Sequence, residues 1–233
     1  MGIKKCGIRL DSGDIAYLSR KARKMLDEAG WTECTITVSN SLDEYLIQDL
    51  WMQDAKIDAF GVGERLITAK SEPVFGCVYK LVAVEDKDGN IVPKIKISEN
   101  VGKITTPHFK KLYRFYGRDT GKAIADYLTV YDETVDDSQN LEIFDPDATW
   151  KRKEVYHFEA RELLVPIYQK GKLVYKRPGI EEIKKYCAEQ VDTLWDEVKR
   201  FDNPHNYYVD LSQKLYDIKT ELLNEKNERY EKN

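Results

Sequence analysis

An α/β fold is expected for this chain on three observations. Its first third repeats strand, helix, strand, helix, strand with short turns, which implies parallel pairing through right-handed crossovers. Its polar clusters fall just after those strands, at the carboxyl ends where barrels and open sheets keep their chemistry. The remainder breaks from the repeat, with short alternating or aromatic-rich segments followed by long stretches of helical spacing. The expected organisation is residues 1–73 as α/β, 74–177 as mainly antiparallel sheet and 178–233 as C-terminal helices.

Each element has its own signal. Ile8 to Leu10 reads as a buried strand, and a helix follows from about Asp14 to Ala29. Its apolar stripe is Ile15, Leu18, Ala22, Met25, Leu26 and Ala29, stopped by Gly30. Thr35 to Ser39 is a second strand, and Ser41 with Glu44 matches a capping box opening a helix through Leu42, Leu46, Ile47, Leu50 and Trp51. Ile57 to Phe60 is a third strand, ending in Gly61-Val62-Gly63. Strands are then expected at Val78–Val84, Lys94–Ile97, Leu112–Tyr116, Ile124–Tyr131 and Leu163–Tyr168, with hairpin turns at Asp88-Gly89 and Lys170-Gly171. Residues 132–150 read as a long acidic surface loop. From Pro178-Gly179 helical spacing runs through Ile180, Ile183, Cys187, Val191 and on to Phe201. A last helix from about Asp210 is expected to fray into a charged tail, Asn224 to Asn233.

Composition narrows the function. With 233 residues, 42% apolar and 33% charged, the chain can bury a sizeable core. A net charge of -4 argues against a broad nucleic-acid face but leaves room for a local basic pocket that takes a phosphorylated small molecule. No apolar run approaches the roughly 20 residues a membrane span needs, and no signal-peptide core is visible, so a cytoplasmic location is expected. Cys6, Cys34, Cys77 and Cys187 are widely separated and read as reduced structural thiols, with no metal assigned.

Chemistry concentrates in Arg9-Leu10-Asp11-Ser12-Gly13-Asp14, where two carboxylates, an arginine, a serine and a glycine follow a strand. Packing alone rarely collects such groups, because unpaired buried charge is costly. Asp11 and Asp14 also suit helix capping, Arg9 a structural ion pair, and Gly61 and Gly63 a simple chain reversal. Tyr113, Phe115 and Tyr116 read as sheet packing, Lys110, Lys111 and Arg118 as a solvated face, and His108 as a surface or turn residue.

Three segments together, Gly7-Ile8-Arg9-Leu10-Asp11-Ser12-Gly13-Asp14, Ser39-Asn40-Ser41-Leu42-Asp43-Glu44 and Phe60-Gly61-Val62-Gly63-Glu64-Arg65-Leu66-Ile67-Thr68, resemble the nicotinate phosphoribosyltransferase family in order and spacing. The likeness continues through Val78-Tyr79-Lys80-Leu81 and Lys103-Ile104-Thr105 to the C-terminal helices. It implies a partial (β/α) barrel of the type II phosphoribosyltransferase kind, followed by the antiparallel sheet and helices. The implied activity is the joining of nicotinate to phosphoribosyl pyrophosphate, giving nicotinate mononucleotide for NAD biosynthesis by pyridine nucleotide salvage, with ATP hydrolysis and Mg²⁺ as cofactors. Family members are longer. The resemblance makes this chain a C-terminal part, inactive alone, that needs an N-terminal half carrying the phosphorylated histidine and the pyridine-stacking aromatics, from a separate chain or a sister subunit, and it implies a homodimer.

The same matching assigns roles. Arg9 and Asp11 would face the base and ribose as catalytic residues. Ser12, Asp14, Ser39 and Asn40 would line the pocket, and Gly61 and Gly63 would bring bare backbone to the 5′-phosphate. Glu64 stands where the family commonly has a small hydroxyl residue, so Arg65 is expected to offset its charge beside the phosphate. Two other readings stay open: a non-catalytic interaction module that keeps the fold, and a Mg²⁺-dependent sugar-phosphate hydrolase built on Asp11, Asp14 and Asp43.

Overall fold

The computed structural model describes residues 6–74 and 76–231, and the chain forms two compact units, Met1–Val78 and Tyr79–Asn233. In the first, β1 (Gly7–Leu10), α1 (Ile15–Glu28), β2 (Thr35–Ser39), α2 (Glu44–Met52), β3 (Ala59–Gly61) and a single turn of helix, α3 (Glu64–Ile67), follow in order. The three strands pair in parallel as β1-β2-β3. Ile36 and Val38 of the central strand are fully buried, and Val38 packs with Ala16, Leu42 and Leu50. The expected α/β character is therefore present.

Both expected helices of this unit form, but the start of α2 differs. Asp43, not Ser41, is the cap: its Oδ1 accepts a hydrogen bond from the Leu46 N–H at 2.8 Å. Ser41 sits in left-handed backbone at φ 51° and gives its hydroxyl to Asn40 Oδ1, so it cannot also close a box with Glu44. Glu44 instead accepts from the Ser71 hydroxyl at 2.7 Å.

The second unit opens with a hairpin, β4 (Ala83–Glu85) and β5 (Ile91–Pro93). Asp86 Oδ1 accepts from the Asp88 and Asn90 N–H groups, and Gly89 at φ 83° completes the turn. The longer strands expected over Val78–Val84 and Lys94–Ile97 are mostly irregular. Val82 C=O is taken up by Lys94 and His108 N–H, both at 2.8 Å, rather than by a neighbouring strand.

The main sheet joins β6 (Lys110–Gly117), β7 (Ala123–Val130), β10 (Phe158–Glu162) and β13 (Val209–Leu211) in the order β10-β6-β7-β13. One face buries Tyr113, Phe115, Tyr127 and Phe158, with the Phe115 and Phe158 ring centroids 4.7 Å apart. On the other face Arg114 lies opposite Asp126 and grips it through two bonds of 2.7 and 2.9 Å. Between β7 and β10, β8 (Leu141–Phe144) and β9 (Arg152–Val155) form a hairpin, so a strand, β8, occupies part of the 132–150 segment expected to be a long acidic surface loop. β11 (Tyr168–Gln169) and β12 (Lys172–Leu173) form the hairpin expected at Lys170-Gly171. The strand expected at Leu163–Tyr168 lies earlier, at Phe158–Glu162, where it pairs with β6. Pro166 in the expected stretch lacks the N–H a ladder requires.

The C-terminal part is α4 (Ile180–Asp192), α5 (Asp196–Lys199), β13 and α6 (Gln213–Glu231). The helical spacing through Phe201 is interrupted because Thr193 Oγ1 bonds back to Gln190 C=O and the Trp195 indole N–H is pinned to Ala123 C=O on β7. Asp210, expected to open the last helix, instead belongs to β13, parallel to β7. Ser212 caps α6, accepting from Leu215 N–H at 3.2 Å while donating to Glu133. The expected frayed tail is helical through Glu231, and its last two residues lie outside the described residues.

Further side-chain expectations change here. His108 is 8% exposed, in left-handed backbone at φ 79°, and stacked on Tyr131, so it is a turn residue but not a surface one. Lys110 gives Nζ to the carbonyls of Thr106, Pro107 and His108, and Lys111 to Glu133, so neither forms a solvated face. Cys34 is buried and its thiol is pushed up by a hydrogen bond with Cys6 and by burial, whereas Cys77 and Cys187 are exposed.

Candidate active site

The candidate site is the carboxyl rim of the β1-β2-β3 sheet, and strand register explains its membership. Leu10 lies opposite Val38, and Ser39 opposite Gly61, so the residue after β1, Asp11, comes level with Ser39 and Gly61. Contacts follow from that levelling. Ser39 donates its hydroxyl to Asp11 Oδ1 at 2.8 Å, and Arg9 donates Nη2 to Asp11 Oδ2 at 2.8 Å. Both carboxylate oxygens are therefore fixed. The Ser39 hydroxyl, then the Arg9 guanidinium, hold the Asp11 carboxyl below the usual carboxylate range. Asp11 stays ionised at neutral pH, and Arg9 keeps most of its five N–H donors for other groups.

The loops beyond the strands are shaped for the same face. Gly13 at φ 77° turns the chain from β1 into α1, and a Cβ there would meet Leu18 Cδ1 at 3.1 Å. Asp14 caps α1 by accepting from Tyr17 N–H at 2.9 Å, the capping use considered for it from sequence. Ser12 is exposed in the turn between them. After β2, Asn40 at φ 85° and Ser41 at φ 51° are consecutive left-handed residues with side chains. Such backbone costs on the order of 1 kcal/mol or more per residue and collects where function requires it. Asn40 is exposed, its carboxamide oxygen taking the Ser41 hydroxyl.

The third corner is divided. Gly61 lies against Ser39, where a Cβ would sit 3.4 Å from the Ser39 Cβ. Gly63 is different: its φ is -111°, and a Cβ would meet no described atom within 4 Å. Packing among the described residues does not call for glycine there. Arg65 turns to α2 and pairs with the Asp43 carboxylate, leaving the exposed Glu64 without it. The sheet thus brings Arg9, Asp11, Ser39 and Gly61 together, leaves Ser12, Asn40 and Gly63 on the adjoining loops, and commits Asp14 and Arg65 to helix starts. Sequence reading missed Asp43 as the residue that holds Arg65. An aspartate immediately before the α2 stretch, 22 residues ahead of an arginine that opens the next helix, is the signal that was available.

A parallel strand–helix repeat with an arginine–carboxylate–serine cluster at its carboxyl rim defines an α/β protein with a polar rim site. Solved structures agree on the fold. The crystal structure of human nicotinic acid phosphoribosyltransferase matches 94% of this chain and 40% of its own length, with a TM-score of 0.66 and 25% identity. That of nicotinate-nucleotide pyrophosphorylase from Pyrococcus furiosus matches 80% of this chain and 40% of its own, with a TM-score of 0.53 and 24% identity, a likeness of fold alone. Residues 109–219 match the nicotinate phosphoribosyltransferase C-terminal domain. The nicotinate phosphoribosyltransferase of Bacillus subtilis is 47% identical over 225 residues, 97% of this chain and 46% of the relative. Nicotinate phosphoribosyltransferase 2 of Arabidopsis thaliana is 37% identical, over 93% of this chain and 40% of the relative. The chain belongs to the nicotinate phosphoribosyltransferase family, a family of enzymes, and spans less than half the length of these relatives.

Proposed function

We infer that the chain is the C-terminal part of a nicotinate phosphoribosyltransferase, contributing one rim of a site that makes nicotinate mononucleotide from nicotinate and phosphoribosyl pyrophosphate. The observation that carries this reading is the Arg9–Asp11–Ser39 cluster level with Gly61. In the reaction the bond from ribose C1 to the pyrophosphate oxygen breaks, the pyridine nitrogen bonds to C1, and positive charge grows on the ribose in between. An ionised carboxylate held by two donors is suited to face that charge without reorganising. The remaining N–H groups of Arg9 suit the carboxylate of nicotinate. Gly63, where a Cβ would meet no described atom within 4 Å, lets a phosphate approach bare backbone. Ser12 and Asn40 add donors at the edge, and Asp14 and Arg65 act through the helix starts they hold.

Mg²⁺ enters this scheme with the pyrophosphate. Among the described residues no three Asp, Glu, His or Cys groups gather to hold a metal ion, and both oxygens of Asp11 are engaged, so the residues present do not fit a resident metal. ATP hydrolysis is assigned to the N-terminal half. In this reading the three parallel strands are a segment of a barrel. Its two outer strands, β1 and β3, each pair only with β2 among the described residues, and Trp51, Met52, Leu66 and Ile67 are 65 to 85% exposed. Open edges and apolar side chains are what an N-terminal partner would cover.

One observation favours a second reading. With Arg65 bound to Asp43, Glu64 keeps its negative charge beside the proposed phosphate position, as in a module that has kept the fold and lost the ligand. Mixing the chain with the N-terminal part of the Bacillus subtilis relative separates the two. Nicotinate mononucleotide formation by the mixture, and not by either piece, supports the enzyme; a stable complex without product or phosphoribosyl pyrophosphate binding supports the module.

A further inference from the structure

Asp210 is a buried carboxylate of the second unit. It is 3% exposed, and no described residue donates a hydrogen bond to its side chain. It lines a cavity of about 360 Å³ whose other walls include Ile124, Ile143, Phe144 and Tyr208. Burying an ion without a partner is expensive, and interiors seldom tolerate it unless a counter-charge arrives.

The charged and titratable groups around Asp210 come from every neighbouring element. Asp145, after β8, raises the cost of its charge, and Lys153, on β9, lowers it. Lys151 is engaged with Asp145 at 3.6 Å, and Arg152 is paired with Glu142 and lies 5.1 Å over the Phe144 ring. Tyr127 of β7 is the register partner of Asp210, and its hydroxyl is pushed up to about 12 by burial, Glu133 and Asp210. Two of the three cations at the cavity are thus already committed, and two carboxylates face it.

We propose that this cavity binds a small organic cation, with its ammonium against Asp210 and its apolar or aromatic body along Ile124, Phe144 and Tyr208. A bare divalent ion fits poorly. Such ions take six or more oxygens, and beyond two carboxylates this wall offers only cations, hydrocarbon and rings. An ammonium instead satisfies a buried carboxylate directly and is attracted to aromatic faces. The larger neighbouring cavity, about 510 Å³, shares Ile124, Lys153 and Tyr208 with this one and is lined by Trp195 and Tyr207, which gives a longer ligand body somewhere apolar to lie.

The test is calorimetric titration of the full 233-residue chain with 2-phenylethylamine, and with 2-phenylethanol as a neutral analogue of the same shape. The amine should bind at about pH 7.5, and the alcohol at least roughly tenfold more weakly. Asp210→Asn should lower amine affinity by roughly tenfold or more, and Lys153→Ala, which removes a competing cation, should raise it. Burial pushes the Asp210 carboxyl up to about 6, so amine binding should fall with a midpoint near that pH. Should Asp210→Asn fail to fold, the wild-type pH profile decides. No binding of the amine, equal binding of the alcohol, undiminished binding to Asp210→Asn, or a profile flat from about pH 7.5 to about pH 5 would each overturn the proposal.

Discussion

Asp11 and Asp210 show how one residue type is set to opposite tasks by its surroundings. Asp11 is exposed, and two donors favour its ionised form. Its stabilising contribution is present above the unfolded carboxyl range and is lost as pH falls through its lowered native value. Asp210 is buried, and its carboxyl is raised to about 6 from 3.8. The native state then holds a proton that the unfolded state has released, so stability declines as pH rises through that window. The loss is complete above about pH 6. Asp210→Asn should accordingly raise the melting temperature at neutral pH and change it little below about pH 4; a melting series across pH checks this, and an equal effect at both ends would refute it. Gly63 provides the complementary test. Because a Cβ there meets no described atom within 4 Å, Gly63→Ala creates no clash among the described residues. It should still weaken phosphoribosyl pyrophosphate binding in the assembled enzyme by roughly tenfold, the loss of one good phosphate contact.

At the scale of elements, the two long helices of the first unit begin on aspartate caps that carry different loads. Asp14 holds only Tyr17 N–H, whereas Asp43 holds Leu46 N–H and the Arg65 guanidinium. Asp14→Ala should cost about 1 kcal/mol by denaturant titration, and Asp43→Ala more, because it also leaves a half-buried guanidinium unpaired. Equal losses would mean that the Arg65 pair is worth nothing. Legibility from sequence divides along similar lines. The strands and helices of the first 60 residues could be read from apolar spacing because each is short, periodic and bounded by glycine or a cap. The replacement of Ser41 by Asp43 as cap could not, since two left-handed residues, Asn40 and Ser41, displace the helix start. Nor could β13 be foreseen: Val209–Leu211 precedes a helical pattern, and only pairing with β7 makes it a strand. In the site, residue types were visible but their partners were not. That Ser39 meets Asp11, or that Arg65 leaves the rim for Asp43, depends on register and helix orientation rather than on spacing along the chain.

At the scale of the molecule, the first unit is a sheet whose two outer strands pair on one side only among the described residues, with a set of exposed apolar side chains on α2 and α3. No helix among the described residues is long and apolar enough to cross a membrane. An apolar dye such as ANS reports exposed apolar surface of this kind. Binding of the N-terminal part should lower ANS fluorescence in proportion to complex formed, and Ile67→Asp, which places a charge at an 85% exposed apolar position, should weaken the complex by at least about tenfold while leaving the chain folded. Undiminished assembly would place the interface elsewhere. The account rests, however, on the rim itself. Its most direct test is titration of nicotinate mononucleotide into the complex of this chain with the N-terminal part, comparing the wild type with Arg9→Ala and Asp11→Asn. Binding by the wild type, with losses of roughly tenfold to a hundredfold in both variants, is the predicted result; equal binding by all three would contradict it.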